Sequence, residues 1–182
     1  MNDDVSTILS GVDELRRRHG RPADLDAPAS VEKVLEALHS FTDCARYLNT
    51  RRSGTALLSL DSEAAVQDAL YLMLRPWIND LVPENPTDKV GNRYSIKDFL
   101  SVASRIVIEA KFVRNADHGK SLVKEINDDI ETYRYHAACD DLIFFIYDPE
   151  GLIPDAAALE RHVRASRVYD QRVLRCHPVI KP

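Results

Sequence analysis

The segment "DFLSVASRIVIEAKF", residues 98–112, places Asp98, Glu109 and Lys111 in or beside two apolar runs that favour a β-hairpin. Side chains alternate along a strand, so Glu109 and Lys111 project from the same face, about 7 Å apart. A tight hairpin would bring the carboxylate of Asp98 beside that of Glu109. Because adjacent carboxylates repel each other, this pattern favours a hard divalent cation such as Mg²⁺ between them. Lys111 could then hold or polarise a water molecule near the metal.

Each of these residues also has a simpler interpretation. Glu109 and Lys111 alone are more typical of an ion pair on a half-exposed strand. Asp98 alone could end a strand. Another acidic residue earlier in the chain, Glu63, lies near the start of a predicted helix, where it could simply stabilise the helix N-terminus through the macrodipole. Their order along the chain favours a common site over coincidence.

The apolar periodicity predicts the elements that must position these residues. Residues 3–18 and 31–49 are predicted helices, and we interpret residues 1–55 as a helical accessory element for packing or self-association. Residues 56–182 form the main predicted domain, with the element order α-β-β-β-α-β-α-β from residue 61. The predicted helices span 61–78, 119–137 and 155–166, and the predicted strands span 81–87, 93–102, 105–113, 141–149 and 172–180.

Composition and length restrict the class of protein. A chain of 182 residues with 45% apolar and 29% charged residues fits a single globular domain. Its three cysteines (Cys44, Cys139 and Cys176) are far apart, which argues against a disulfide framework or a zinc site. No apolar run approaches the roughly 18 residues of a transmembrane helix. We therefore expect a cytoplasmic protein without a signal peptide or membrane span.

Charge is segregated along the chain, although the net charge is −5. Residues 89–124 carry a net charge of +5, residues 125–160 carry −9, and residues 161–182 carry +5. Such segregation can build a basic face that attracts phosphate on an acidic protein. The alternative, that these segments neutralise one another across the fold, remains open.

The D-x10-E-x-K spacing across a predicted hairpin resembles the PD-(D/E)XK nuclease superfamily. The segments "SEAAVQDAL", "DFL", "VIEAKFVR", "KEINDDIETY" and "LIFFIYDPEG", within residues 61–165, more narrowly resemble the DpnII–MboI-like restriction-endonuclease family. This resemblance implies an α/β fold: a restriction-endonuclease-like αβββαβ core with a central mixed sheet flanked by helices, plus an N-terminal helical extension. Lys97 stands where the superfamily pattern has proline.

The resemblance also implies roles for individual residues. Asp98 and Glu109 would be metal ligands, together with the backbone carbonyl of Ala110. Lys111 would orient or activate the attacking water and stabilise charge that develops on the phosphate. The implied cofactor is Mg²⁺, for which Mn²⁺ could substitute.

Further residues are implied around this centre. Glu63 would complete it, directly or through a metal-bound water, and Gln67, one turn later on the same helix face, would support it. Four residues are predicted to contact nucleic-acid phosphates: Arg114, His118, Lys120 and Lys124.

We therefore expect a Mg²⁺-dependent endonuclease that hydrolyses DNA phosphodiester bonds, with a role in restriction or antiphage defence. Two alternatives remain open: a catalytically inactive nuclease-fold protein that binds nucleic acid or a protein partner, and an RNA-directed nuclease. The expected partners are DNA, a second copy bound through the N-terminal helices, and a partner protein that supplies sequence recognition.

Overall fold

A six-stranded sheet lies at the centre of this computed structural model, which describes residues 28–50, 58–86, 96–165, 167–169 and 172–182. The helix predicted at residues 3–18 lies outside these ranges. The helices are α1 (Val31–His39), α2 (Phe41–Thr50), α3 (Glu63–Leu74), α4 (Ala116–Tyr133) and α5 (Ala156–Arg164). The strands are β1 (Val82–Pro86), β2 (Ile96–Ser101), β3 (Ile106–Phe112), β4 (Asp141–Tyr147), β5 (Arg167–Tyr169) and β6 (Arg172–Lys181).

The strands lie in the order β1-β2-β3-β4-β6-β5. Strands β1, β2 and β3 are antiparallel neighbours, β3, β4 and β6 are parallel, and β5 pairs antiparallel with β6. The predicted mixed sheet and the order of elements from residue 61 are confirmed. Strand β1 lies at an edge, as its two prolines predict, since proline cannot donate to a neighbouring strand. Strand β5 was not predicted, since it has only three residues.

Helices cover both faces of the sheet, which is why β3 and β4 are almost continuously apolar. On one face α1 and α3 pack through buried residues that include Leu38 and Leu70, in the same apolar cluster as Ile108 of β3. On the other face α4 and α5 contribute Ile126 and Val163 to a second apolar cluster. The central strands therefore have little freedom to shift register, because each face carries its own packed core.

The predicted helix at 31–49 is two helices, divided at Ser40. The amide of Ser40 donates to the carbonyls of Glu36 and Ala37, and a new helix begins at Phe41. Phe41 is 1% exposed and packs edge-on against Phe145 of β4, with ring centroids 4.8 Å apart. These helices thus pack on the sheet; the division of the chain at residue 55 stays a prediction.

Side-chain caps account for where the site-bearing helices begin. Ser62 accepts a hydrogen bond from the Ala65 amide, so α3 begins at Glu63. Asn115 accepts from the His118 amide at 2.8 Å, and α4 therefore begins at Ala116, three residues earlier than predicted. Among the described helices, none is both long and apolar enough to cross a membrane.

Candidate active site

The hairpin of β2 and β3 brings Asp98 beside Glu109. Its register pairs Phe99 with Ile108, and the next step along this register sets Asp98 opposite Glu109. Asp98 does not continue the backbone ladder. Its Oδ2 instead accepts a hydrogen bond from the Ala110 amide at 2.7 Å. The two strands therefore separate at the position where the carboxylates meet.

A third carboxylate enters this opening from the other face of the sheet. Glu63 lies at the first position of α3, and its Oε2 accepts a hydrogen bond from the Phe112 amide at 3.3 Å. The side chain of Gln67, one turn further along α3, hydrogen-bonds to Asp98. The amides of Ala110 and Phe112 thus each donate to a carboxylate, on the side of β3 from which β2 has separated. We call the cluster of Glu63, Asp98 and Glu109 the carboxylate notch.

Glu109 and Lys111 project from β3 toward α4, and each meets a partner on that helix. The hydroxyl of Tyr133 donates to Oε1 of Glu109, and Nζ of Lys111 lies 2.9 Å from Oδ2 of Asp129. Tyr133 is 1% exposed, and neither it nor Asp129 was among the predicted site residues, although the Tyr133 hydroxyl reaches the site. The signal available was the four-residue spacing of Asp129 and Tyr133, which sets them on one helix face.

Burial dominates the electrostatics of the two opposed carboxylates. It raises the pKa of Asp98 to about 6, although the Ala110 amide and the charge of Lys111 act in the opposite direction. Burial, followed by repulsion from Asp98 and Asp129, raises the pKa of Glu109 to about 8. Each of these groups is therefore costly to ionise without a nearby cation.

Burial by itself would lower the pKa of Lys111, but Asp129 and Glu109 outweigh it and raise that pKa above its ordinary value. Lys111 is therefore an ammonium at neutral pH. As such it can donate hydrogen bonds and cannot accept a proton.

The donors present suit a hard cation such as Mg²⁺. The amide of Ala110 points to the β2 edge, and since the N–H and C=O of a strand residue face the same neighbour, its carbonyl lies on the side of Asp98. Two carboxylates and this carbonyl match Mg²⁺, which takes one or two carboxylates and keeps several waters. Among the residues that the structure describes, no three His, Cys, Asp or Glu side chains converge on one point. The carboxylate of Glu63 therefore does not converge with those of Asp98 and Glu109 on a single point within the notch.

The four predicted phosphate-binding residues lie between the end of β3 and the middle of α4. Arg114, Lys120 and Lys124 are exposed, and Lys120 pairs with Asp117 at 3.2 Å. His118, predicted to lie in a loop, is instead in the first helical turn and 8% exposed.

Both ring nitrogens of His118 have protein partners. Nδ1 accepts from the Arg114 amide at 3.3 Å, and Nε2 lies 3.3 Å from a carboxylate oxygen of Glu125. A phosphate contact through this ring would require one of these partners to leave.

Comparison with known proteins bears on the identity of the chain. Neither the curated proteins nor the solved structures gave a significant match. A model of the restriction-endonuclease family REase_DpnII-MboI matches residues 29–177, which is most of the chain. This match is wider than the segment 61–165 that carried the resemblance, and it includes α1 and α2. The chain therefore belongs to the DpnII–MboI family of restriction endonucleases.

Proposed function

We propose that this chain is a Mg²⁺-dependent endonuclease that hydrolyses DNA phosphodiester bonds at the carboxylate notch. Membership of a restriction-endonuclease family supports a nuclease of that type. The observation that carries the site is the meeting of Asp98 and Glu109 on adjacent strands, with Lys111 two residues further along the same face. The three charged side chains of the D-x10-E-x-K pattern thereby lie around one opening in the sheet.

Different residues of the site have different roles in hydrolysis. Asp98, Glu109 and the Ala110 carbonyl would hold the metal ion, and Glu63 would bind one of its waters. Gln67 keeps the Asp98 carboxylate oriented through its hydrogen bond.

Lys111 donates hydrogen bonds to the attacking water or to a phosphate oxygen. Because it is held as an ammonium, its contribution is orientation and charge stabilisation. In the overall step water adds to phosphorus, one phosphorus–oxygen bond breaks, the attacking water releases a proton to solvent, and the leaving oxygen takes up a proton from solvent. A bound Mg²⁺ supplies Lewis-acid stabilisation of the negative charge on the phosphate.

DNA is the substrate that the family membership favours. The exposed side chains of Arg114, Lys120 and Lys124 lie on the segment that follows β3, where they can bind backbone phosphates without reading bases. We also infer a role in restriction or antiphage defence, with a second copy or a recognition partner supplying sequence specificity.

The test is cleavage of supercoiled and linear plasmid by purified protein with Mg²⁺ or Mn²⁺. We expect Glu109→Gln and Lys111→Met to lower the cleavage rate at least about 100-fold, because the first removes a carboxylate that would hold the metal ion and the second removes an ammonium that stabilises negative charge on the phosphate. Matched controls are Glu131→Gln and Lys33→Met, which alter exposed residues outside the notch and should leave the rate within about twofold of wild type.

The same assay separates the alternatives. Cleavage that survives both notch substitutions would show that the reaction occurs elsewhere. DNA binding without cleavage under either metal would favour a nuclease-fold binding protein. Faster cleavage of RNA than of DNA of the same sequence would favour an RNA-directed nuclease.

A further inference from the structure

Helix α4 and strand β3 advance by similar distances between the residues that they contribute to the site. Two residues of a strand advance about 6.6 Å, and four residues of a helix advance about 6 Å. Asp129 lies over Lys111 and Tyr133 lies over Glu109, so α4 runs back across β3 in the antiparallel direction. One helical turn therefore sets one partner over each of the two charged residues of β3.

The contact between Tyr133 and Glu109 is buried on both sides. Tyr133 is 1% exposed and Glu109 is 4% exposed. A buried hydroxyl is costly without a hydrogen-bond partner, and here the partner is a carboxylate oxygen. The hydrogen bond fixes Oε1 of Glu109, and the second oxygen of the carboxylate remains for another ligand.

The contact between Asp129 and Lys111 restrains a flexible side chain. A lysine has four rotatable carbon–carbon bonds, and an ion pair at 2.9 Å selects one arrangement of them. The side chains of Lys111 and Asp129 are 14% and 23% exposed, so solvent screens this pair only partly. The ammonium is held beside the notch before any substrate arrives.

We propose that Asp129 and Tyr133 are positioning residues for the reaction: Asp129 orients the ammonium of Lys111, and Tyr133 orients the carboxylate of Glu109. Neither residue needs to touch the substrate, since each acts through its β3 partner. Helix α4 thus pre-organises the hydrolytic centre. This inference rests on the proposed nuclease function.

The first test is a pair of double-mutant cycles on the single-turnover cleavage rate. Asp129→Asn and Tyr133→Phe should each lower the rate by about 10- to 100-fold, the usual effect of losing a group that orients a catalytic ligand. Asp129→Asn should cost nothing further in a Lys111→Met background, and Tyr133→Phe nothing further in a Glu109→Gln background. A merely structural role would instead give losses that multiply.

Neighbouring residues supply the controls. Asp128→Asn removes an exposed charge one residue away, and Tyr135→Phe removes the hydroxyl of a tyrosine that is 72% exposed. Both should cleave at the wild-type rate. Rates within twofold of wild type for Asp129→Asn and Tyr133→Phe, or multiplicative losses in the cycles, would overturn the proposal.

A second pair of measurements needs no cleavage. Titration calorimetry with Mn²⁺ should show about tenfold weaker binding to Tyr133→Phe than to wild type, and no such difference in a Glu109→Gln background. The ammonium protons of Lys111, assigned by their loss in Lys111→Met, should give an NMR signal that is present in wild type and absent in Asp129→Asn. If the wild-type protein cleaves nothing, the proposed function fails, and these measurements alone decide whether α4 orients the two residues. Unchanged Mn²⁺ affinity, or a signal that survives in Asp129→Asn, would then overturn the corresponding contact.

Discussion

Glu109 has lost most of its contact with water, and its nearest charged neighbours include Asp98 and Asp129, which repel its ionised form. Lys111 offsets part of this repulsion but is already paired with Asp129. The notch is therefore short of positive charge at the position where Asp98 faces Glu109. A divalent cation relieves that shortage, which is the physical reason for assigning these residues to a metal site.

At the residue scale, binding of a divalent cation should stabilise the protein through the carboxylates of the notch. A cation at 100 times its dissociation constant adds about 2.7 kcal/mol to the free energy of unfolding. For a chain of this length each kcal/mol raises Tm by about 2–4 °C. We expect a rise in Tm of several degrees for wild type on replacing EDTA by Mn²⁺, measured by circular dichroism.

The same melting experiment identifies the ligands. Asp98→Asn and Glu109→Gln should abolish the rise in Tm, whereas Glu131→Gln, on the exposed surface of α4, should retain it. An equal rise in all four proteins would place the bound cation elsewhere.

The element that must be held in place is α4, since it carries Asp129 and Tyr133. Its first turn contacts the loop after β4. A Cβ atom on Gly119 would lie 2.4 Å from the Leu152 carbonyl oxygen, so the helix and the loop approach too closely for any side chain. The loop is itself held by Asp148, whose carboxylate accepts from the Leu152 amide at 2.8 Å and from the Ile153 amide at 3.0 Å.

At the element scale, Gly119→Ala should therefore destabilise the protein by about 1–3 kcal/mol, because the helix or the loop must move to admit the methyl group. Helix propensity alone predicts the opposite sign, since alanine is favoured over glycine by about 1 kcal/mol. Urea unfolding measures the difference. Lys120→Ala, at the exposed neighbouring position, should stay within about 0.5 kcal/mol of wild type. A stabilised Gly119→Ala protein would contradict the close approach.

Across the whole molecule, the two ends of the parallel strands have different surroundings. The notch lies toward the carboxyl end of β3, and an ion-pair cluster lies at the amino end of β4. There the carboxylate of Asp141 accepts hydrogen bonds at 2.7 Å from Nε of Arg175 and from Nε2 of His177, both on β6. Burial raises the pKa of Asp141, but these two hydrogen bonds outweigh it and lower the pKa to about 2.

At this scale we predict a pH-dependent contribution to stability. A carboxyl group whose pKa is lower in the folded state stabilises the protein above its ordinary pKa, and this stabilisation is lost as the pH falls toward the folded-state value. Asp141→Asn should cost about 2–3 kcal/mol at pH 7, because it removes the carboxylate whose ionised form these hydrogen bonds stabilise in the folded state. The deficit should shrink as the pH falls below about 4.

Urea unfolding of wild type and Asp141→Asn at several pH values measures this deficit. Asp43→Asn is the control, since Asp43 is exposed and pairs with Arg46 on α2, so its loss should cost less than about 1 kcal/mol at any pH. A deficit for Asp141→Asn that is constant with pH would contradict the assigned ion pairs.

Short-range regularities in the sequence were sufficient to predict the hairpin and its charged face. The alternation of side chains along β3 places Val107, Glu109 and Lys111 on one face. The tight turn after Ser101 returns the chain so that Glu109 lies beside Asp98. The apolar run within residues 141–149 predicted strand β4, and its continuous apolarity is that of a strand covered on both faces. These inferences held because each depends on residues close together in the chain, where backbone geometry leaves few choices.

Only the tertiary structure decided what lies over that face. Whether Asp129 meets Lys111 depends on the angle and depth at which α4 packs on the sheet, and these are set by many apolar contacts together with the tight approach at Gly119. His118 was interpreted as a loop residue because Asn115 was not recognised as the residue that caps α4 and sets where the helix begins. The sequence by itself thus determined the charged groups of the hairpin, whereas the packing of helix on sheet decided their partners, since such contacts join residues distant in the chain through the whole core.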